Sequence, residues 1–206
     1  MLKIWGRLTS VNVRKVVWAA QELGITFERV DAGRQFGIVD TPAYHFLNPN
    51  GLVPTIEDDG FVLWESNTIV RYFGARHGVG SFYPEDLRQR FDAERWMDWQ
   101  QTRLGPACSP VFWQWIRTPA EQRDMAAIAG SVARAQPLLA LLDAHLADRA
   151  FMLGDTLTMA DIPLGCEVHR WYGLPQERPA LPNLERWFAA LSARPAVKGV
   201  FDIPLS

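Results

Sequence analysis

The chain has little cysteine, no basic tract and no long apolar run, and each absence narrows what it can be. Its two cysteines, Cys108 and Cys166, lie far apart and form no C-x-x-C pair. Two buried free thiols in a reducing cytoplasm are expected, without disulfide-reductase chemistry. No metal site is assigned. The opening run from Met1 to Leu8 is too short and too interrupted for a signal peptide, and no stretch reads as a transmembrane span. Lys and Arg number 21 against 23 Asp and Glu, for a net charge of −2, with the two signs interspersed. That balance argues against a nucleic-acid partner or an anionic membrane. There is no internal repeat and no low-complexity segment. What is present is a 206-residue chain, 48% hydrophobic, long enough to bury a core and to form two small domains.

Residues 2–5 form a short apolar strand candidate. Val13, Val16, Val17, Ala20 and Leu23 share one face of a helix expected over residues 12–23, stopped by Gly24. Residues 26–30 read as a second strand. Thr41-Pro42 is an N-cap and N1 pair for a short helix ending before Pro49. Residues 55–57 and 61–64 then read as a hairpin turned by Asp59-Gly60. Pro54 stands at the mouth of the first hairpin strand, since it has no N–H for a ladder, and this leaves the Val53 backbone free to pair with an extended peptide. Ser66 is an N-cap candidate for a helix over residues 66–77, because Ile69, Val70 and Phe73 follow at helical spacing. A free helix N-terminus there welcomes a carboxylate, and Glu65 beside it suits an ammonium group. A β-α-β-α-β-β-α order with one right-handed parallel crossover and a closing hairpin implies a mixed four-stranded sheet.

A Gly-, Ser- and Pro-rich linker follows over residues 78–84, and beyond it no strand pattern occurs. A long helix from about residue 85 carries Leu87, Phe91, Trp96, Trp99 and Leu104 and is expected to break at Gly105-Pro106. Thr118-Pro-Ala-Glu121 reads as a capping box with proline at N1, launching a helix to about residue 146. Thr158-Met-Ala-Asp161 is a second capping box, with Pro163 a few residues inside the helix it opens. Residues 183–194 read as the last helix.

Val53-Pro54 followed across a hairpin by Glu65-Ser66 resembles the glutathione-binding half of the soluble glutathione S-transferases. In that family a Val-Pro with cis proline precedes strand three, and an acid- or Gln-Ser pair binds the γ-glutamyl end of glutathione. The Thr-x-Ala-Asp wording at Thr158 to Asp161 matches the family's central buried helix, so the resemblance covers essentially the whole chain. It implies an α+β two-domain protein: a thioredoxin-like domain over residues 1–78 and an all-α domain over residues 85–206 that contributes the second-substrate site. It also implies glutathione as co-substrate, a small electrophile as the second substrate, a homodimer and a cytoplasmic location. The expected glutathione-binding residues are Val53, Pro54, Glu65 and Ser66, with Pro54 cis.

Family members stabilise the glutathione thiolate with a Tyr, Ser or Cys near the first strand. No Tyr or Cys lies near Leu8-Thr9-Ser10-Val11-Asn12-Val13-Arg14, which occupies that junction. A Ser four residues before an Arg resembles the serine-type theta and delta pattern, so Ser10 is the implied catalytic hydroxyl. Asn12 stands where those classes often have Pro and is a competing donor, and Thr9 is a neighbouring hydroxyl. A thiol of pKa about 8.5 needs only donors and a helix N-terminus to ionise near neutral pH. The residues alone also allow Ser10 as a plain cap of the first helix and Glu65-Ser66 as a plain cap of the third. Leu52 stands where theta-like enzymes often have Lys or Gln for the glycine carboxylate, leaving Arg34, Gln35 and His45 as candidates. Arg14 and Lys15 read as solvated or paired charges. For the electrophile, the aromatic stretch Trp99, Cys108, Phe112, Trp113 and Trp115, with His169, Trp171 and Tyr172, offers two or three wall residues and points to a hydrophobic substrate. Beside a serine-type transferase stand a specialised glutathione-dependent isomerase or dehalogenase, and a catalytically silent binding or regulatory protein on the same scaffold.

Overall fold

Alternating burial puts Leu2 and Ile4 of β1 (Leu2–Trp5) into the core of the computed structural model, which describes residues Met1–Ser206. β1 pairs in parallel with β2 (Phe27–Val30) and antiparallel with β3 (Thr55–Asp58), which pairs with β4 (Phe61–Trp64). The sheet order is β2-β1-β3-β4, mixed and four-stranded as the element order requires. Asp59 and Gly60 both take positive φ, 49° and 88°, the backbone that a two-residue hairpin of this twist demands. Between β1 and β2 lies α1 (Val11–Glu22). Between β2 and β3 lies α2 (Pro42–Leu47), whose N-cap Thr41 accepts from the Tyr44 N–H. After β4 comes α3 (Ser66–His77), with Glu65, not Ser66, at the cap.

The second half is helical, as expected. Its first helix does not break at Gly105-Pro106. α4 (Leu87–Trp99) runs through a π-type turn, Gln100–Leu104, into α5 (Gly105–Phe112) and a second π-type turn, Trp113–Arg117. The Gly105 N–H reaches five residues back to the Gln100 carbonyl. This wider turn leaves Pro106 near the start of a new helical register, where its missing N–H and its ring cost little. The Thr118 box does not open a helix either. A single 3₁₀ turn, Ala120–Gln122, follows it, and α6 (Met125–His145) starts at Asp124, whose carboxylate accepts from the Ala126 and Ala127 N–H groups. An Asp with two adjacent donors outcompeted the Thr. By length and composition α6 alone is apolar enough to cross a membrane; here its Ile128, Ala135, Leu139 and Leu142 belong to the shared core.

α7 (Asp161–Tyr172) is the buried axis of this half, followed by α8 (Pro182–Ser192). The Thr158 box opens it with one of its two bonds: the Thr158 N–H donates to Asp161 Oδ2 at 2.9 Å. Asp161 also accepts from the Met152 N–H at 2.9 Å and from Trp187 Nε1 at 2.8 Å, so one buried carboxylate ties the loop before α7 to α8. The two halves meet where α1 lies against α7. Gly165 lets Trp18 and Leu191 approach to about van der Waals contact; a Cβ there would sit 2.8 Å from each.

Asp161→Ala would orphan three buried N–H groups, each costing about 1–3 kcal/mol. Urea unfolding should register a loss of about 3 kcal/mol or more, with Asp161→Asn, which keeps one acceptor oxygen, in between. A loss under 1 kcal/mol would mean that the carboxylate is not what holds this junction.

Candidate functional site

The Val53-Pro54 peptide is cis. The segment before it is held from below: Tyr44 Oη and Asn48 Nδ2 both donate to the Leu52 carbonyl, at 2.8 and 2.9 Å, and both also bond Thr55 Oγ1. The Val53 N–H and carbonyl take no partner within the chain. A short extended peptide therefore has one backbone pair to meet, at the edge of a cavity of about 380 Å³ that Val53 shares with Gly51, Ser10, Asn12, Arg7 and Arg34.

A second cavity, about 280 Å³, lies on the other side of Asn12 and is bordered by Glu65, Ser66, Lys15 and Gln100. Glu65 takes φ 72°, a left-handed backbone that a glutamate adopts at a cost of about 1–3 kcal/mol. Its exposed carboxylate makes no hydrogen bond or ion pair, and no side chain caps α3. An acid aimed by a strained backbone thus stands beside unused helix N–H groups, suiting an ammonium and a carboxylate on one carbon.

Ser10 is the N-cap of α1, with φ −85° and ψ 124°, yet its hydroxyl does not cap the helix. The first N–H groups of α1 are unused as well. Ser10 also borders a third cavity, about 150 Å³, with Thr9, Val11, Phe112 and Trp113. The start of α1 is thus where the three cavities adjoin. Thr9 Oγ1 is buried there without a partner. Cys166 also borders this cavity, but burial pushes its thiol up to about 12, so it offers no competing thiolate. Both cysteines are free and buried.

Four arginines that drew little or no notice in the sequence surround this point. Arg7, Arg14, Arg117 and Arg170 line the third cavity together with Arg34, and no Asp or Glu does. They come from the β1–α1 loop, α1, the end of the α5 helical run and α7, so no local spacing announces them. Of the expected aromatic wall only Phe112 and Trp113 face the cavity. Trp99 lies on the opposite side of α4 with Trp96 and Leu141, Trp115 stacks under Arg123, and Trp171 is core. His45 and Gln35 border none of the three cavities.

Arg14 and Lys15 are not solvated; both are buried. Arg14 donates to the Leu8 carbonyl at 2.8 Å and to the Ile203 carbonyl at 2.7 Å, so it pins the Ser10 loop to the C-terminal segment. Lys15 Nζ donates to Gln100 Oε1 at 3.0 Å, beside the Glu167–Arg170 pair. Burial lowers its ammonium to about 8, with Glu167 pulling the other way.

Two family models match the chain: the glutathione S-transferase N-terminal domain over residues 5–82 and the C-terminal domain over residues 125–190. The chain is 40% identical to glutathione S-transferase GstB of Escherichia coli, over all of both chains. It belongs to the glutathione S-transferase family. Glutathione is accordingly its co-substrate, and conjugation of glutathione to electrophiles is its reaction. The chain is also 30% identical to glutathione S-transferase 3 of Zea mays, over 99% of this chain and 95% of the other. Among solved structures, the theta class enzyme of Xanthomonas axonopodis pv. citri with glutathione bound superposes with a TM-score of 0.95 at 43% identity, covering 100% of this chain and 99% of that one.

His169 reports on the seating of this site. Its Nδ1 lies 3.1 Å from Arg14 Nη1, which can only donate, so Nδ1 accepts and Nε2 carries the hydrogen given to the Phe201 carbonyl at 2.9 Å. Burial first, and the Arg14 charge second, lower the imidazole from 6.5 to about 4. The folded protein therefore binds fewer protons than the unfolded chain between these values. The stability held by neutral His169 is fully present above pH 6.5 and is lost as pH falls through 4. That loss should amount to about 2–3 kcal/mol. Urea unfolding at pH 7 and pH 4 should show His169→Gln losing less than the wild type between the two; equal losses would remove His169 from the account.

Proposed function

We propose that this cytoplasmic transferase is of serine type, with Ser10 as the donor that stabilises the glutathione thiolate. The observation that carries the reading is the unused Ser10 hydroxyl, which borders two of the three cavities in front of an uncapped helix. In this reading residues 1–78 bind the tripeptide. Val53, presented by cis Pro54, pairs with the cysteinyl backbone, and Glu65 and Ser66 take the γ-glutamyl ammonium and carboxylate. Arg7 or Arg34, in the Val53 cavity, meets the glycine carboxylate. Residues 85–206 furnish the wall for the electrophile. The helix N-terminus and the Ser10 O–H lower the thiol pKa together, and the thiolate attacks a carbon positioned against Phe112 and Trp113. The unoccupied Glu65 carboxylate and Val53 backbone favour this over a silent scaffold.

Ser10→Ala should leave glutathione affinity nearly intact while lowering kcat near neutral pH ten- to hundredfold, the equivalent of about 1.5–3 kcal/mol for one donor to an anion. Higher pH should recover part of the loss. Glu65→Ala should do the reverse, weakening glutathione in calorimetry by about 1.5–3 kcal/mol. Asn12→Ala and Thr9→Val are the controls. If either abolishes turnover while Ser10→Ala behaves as wild type, the serine assignment is wrong.

We further propose a homodimer in which α3 of one subunit packs on α4 of the other. Support comes from the apolar side chains left outside on α4 and on β4, the strand before α3: Phe61, Leu87 and Phe91 are each about half exposed or more. Sedimentation at micromolar concentration should find twice the 23.3 kDa chain mass; a species of 23.3 kDa alone would refute the dimer.

A further inference from the structure

The geometry points to an electrophile that carries a carboxylate on a flat, unsaturated body, an inference that rests on the transferase reading above. Hydrophobic wall and hydrophobic substrate were the expectation, but the cavity beside Ser10 is cationic. Its lining contains five arginines and no acid. Two of them already hold partners. Arg14 spends its donors on the Leu8, Ile203 and Pro204 carbonyls, and Arg170 pairs with Glu167 at 2.6 Å. One more, Arg7 or Arg34, is accounted for by the glycine carboxylate of glutathione.

Arg117 is left over, together with whichever of Arg7 and Arg34 glutathione does not take. Arg117 pairs with no Asp or Glu side chain, and its one hydrogen bond is to an oxygen of Ser206. Its Nε and Nη1 are buried without any partner. A desolvated guanidinium with two unused donors is costly unless an acceptor arrives. Its plane lies over the two rings that form the wall, 5.2 Å from the Phe112 centroid and 5.5 Å from that of Trp113. Arg170 stands over Phe112 from another side at 4.8 Å, and Arg34 stands over Trp113 at 5.7 Å. The aromatic faces thus hold the guanidinium groups around the cavity as well as forming its wall. Arg7 has a lowered pKa, through burial first and Arg34 second, which reports the same excess of positive charge.

A cavity lined by one sign of charge concentrates the opposite sign. A flat ring stacks against Trp113, its carboxylate meets the arginines that line the cavity, Arg117 among them, and the reacting carbon is turned to the sulfur in front of Ser10. In the transfer the thiolate gives an electron pair to the carbon bearing a halide, the C–S bond forms, and halide leaves with the electrons of the C–halogen bond. Nothing is oxidised or reduced.

The test pairs 4-chloro-3-nitrobenzoate with its neutral analogue 4-chloro-3-nitrobenzamide, each kcat/KM divided by the uncatalysed rate with free glutathione. The wild type should favour the carboxylate. Arg117→Gln should lower the carboxylate-to-amide ratio at least tenfold, and Arg117→Lys should retain part of it. Because Arg117 also holds the chain at Ser206, a second measurement uses the unaltered protein: raising salt from 20 to 500 mM should depress the carboxylate reaction several-fold more than the amide reaction. Affinity for S-methylglutathione should not move in Arg117→Gln. A wild type that prefers the amide, a ratio unmoved by Arg117→Gln, or equal salt dependence would overturn the inference while leaving the transferase reading intact. So would a matching loss of S-methylglutathione affinity, which would give Arg117 to glutathione instead. If neither compound is turned over and calorimetry finds no glutathione binding, the transferase reading fails and the inference falls with it.

Discussion

The burial of α1 is the constraint on which the rest depends. This helix is packed by the sheet on one side and by α7 on another, so that every residue from Val13 to Ala20 is buried, including Arg14 and Lys15. Two charges cannot be taken out of water in a hydrophobic contact unless each is given acceptors. The acceptors come from separate parts of the chain: the Leu8 loop, the C-terminal segment, the π-type turn after α4 and His169 of α7. The same bonds that make the burial affordable therefore fix α1 against the helical half. Since the start of α1 carries Ser10 and Asn12, the distance from either to the aromatic wall is set by these buried cations and by the close approach at Gly165, rather than by loop conformation.

That arrangement separates charge along the site. An unpaired carboxylate, Glu65, stands at one end and unpaired guanidinium groups stand at the other, with the uncapped start of α1 between them. Neither end neutralises the other, because the start of α1 and Asn12 lie between the two cavities. In the proposed reading, glutathione laid across α1 would meet opposite charge at both of its ends, and its sulfur would fall in the field of the helix and of the arginines together. The protonated thiol of Cys166 is no base, and His169 is a poor one, because Arg14 occupies its single lone pair at Nδ1 and burial lowers its basicity. Ionisation of the bound thiol then rests on hydrogen bonding and field alone, which is the condition under which a single hydroxyl matters.

The parts of this legible in the sequence are those encoded over a few residues. The Asp59-Gly60 turn, the Thr41-Pro42 cap, the order of strands and helices in the first half and the Thr158–Asp161 link all follow from local chemistry, and the structure has them. The failures also have local causes, in which two signals competed. Gly105-Pro106 reads as a break unless the preceding turn widens, and nothing in the residues announces a π-type turn. Thr118 and Asp124 are both good caps, and six residues separate them; only packing chooses. Ser66 was one residue off because Glu65 adopts a positive φ that no rule for glutamate would allow. The burial of Arg14 and Lys15 was invisible for another reason: their partners lie between 6 and 190 residues away.

The cationic cavity lies at the far end of that scale. Its arginines sit in four separate stretches, and interspersed charge was the very feature that made the chain look bland. Folding sorts what composition mixes. Acids are drawn off into pairs elsewhere, Asp58 with Arg76, Glu94 and Asp98 with Arg71, Glu22 with Arg194, and of the five arginines left around the cavity only Arg170 has an Asp or Glu partner, Glu167. A near-neutral chain can therefore hold a strongly charged site, and net charge constrains the surface that a large polyanion or membrane would meet without constraining a small cavity. The nature of the second substrate is for this reason a property of tertiary placement: the same arginines moved one turn along their helices would leave the sequence statistics unchanged and the site neutral.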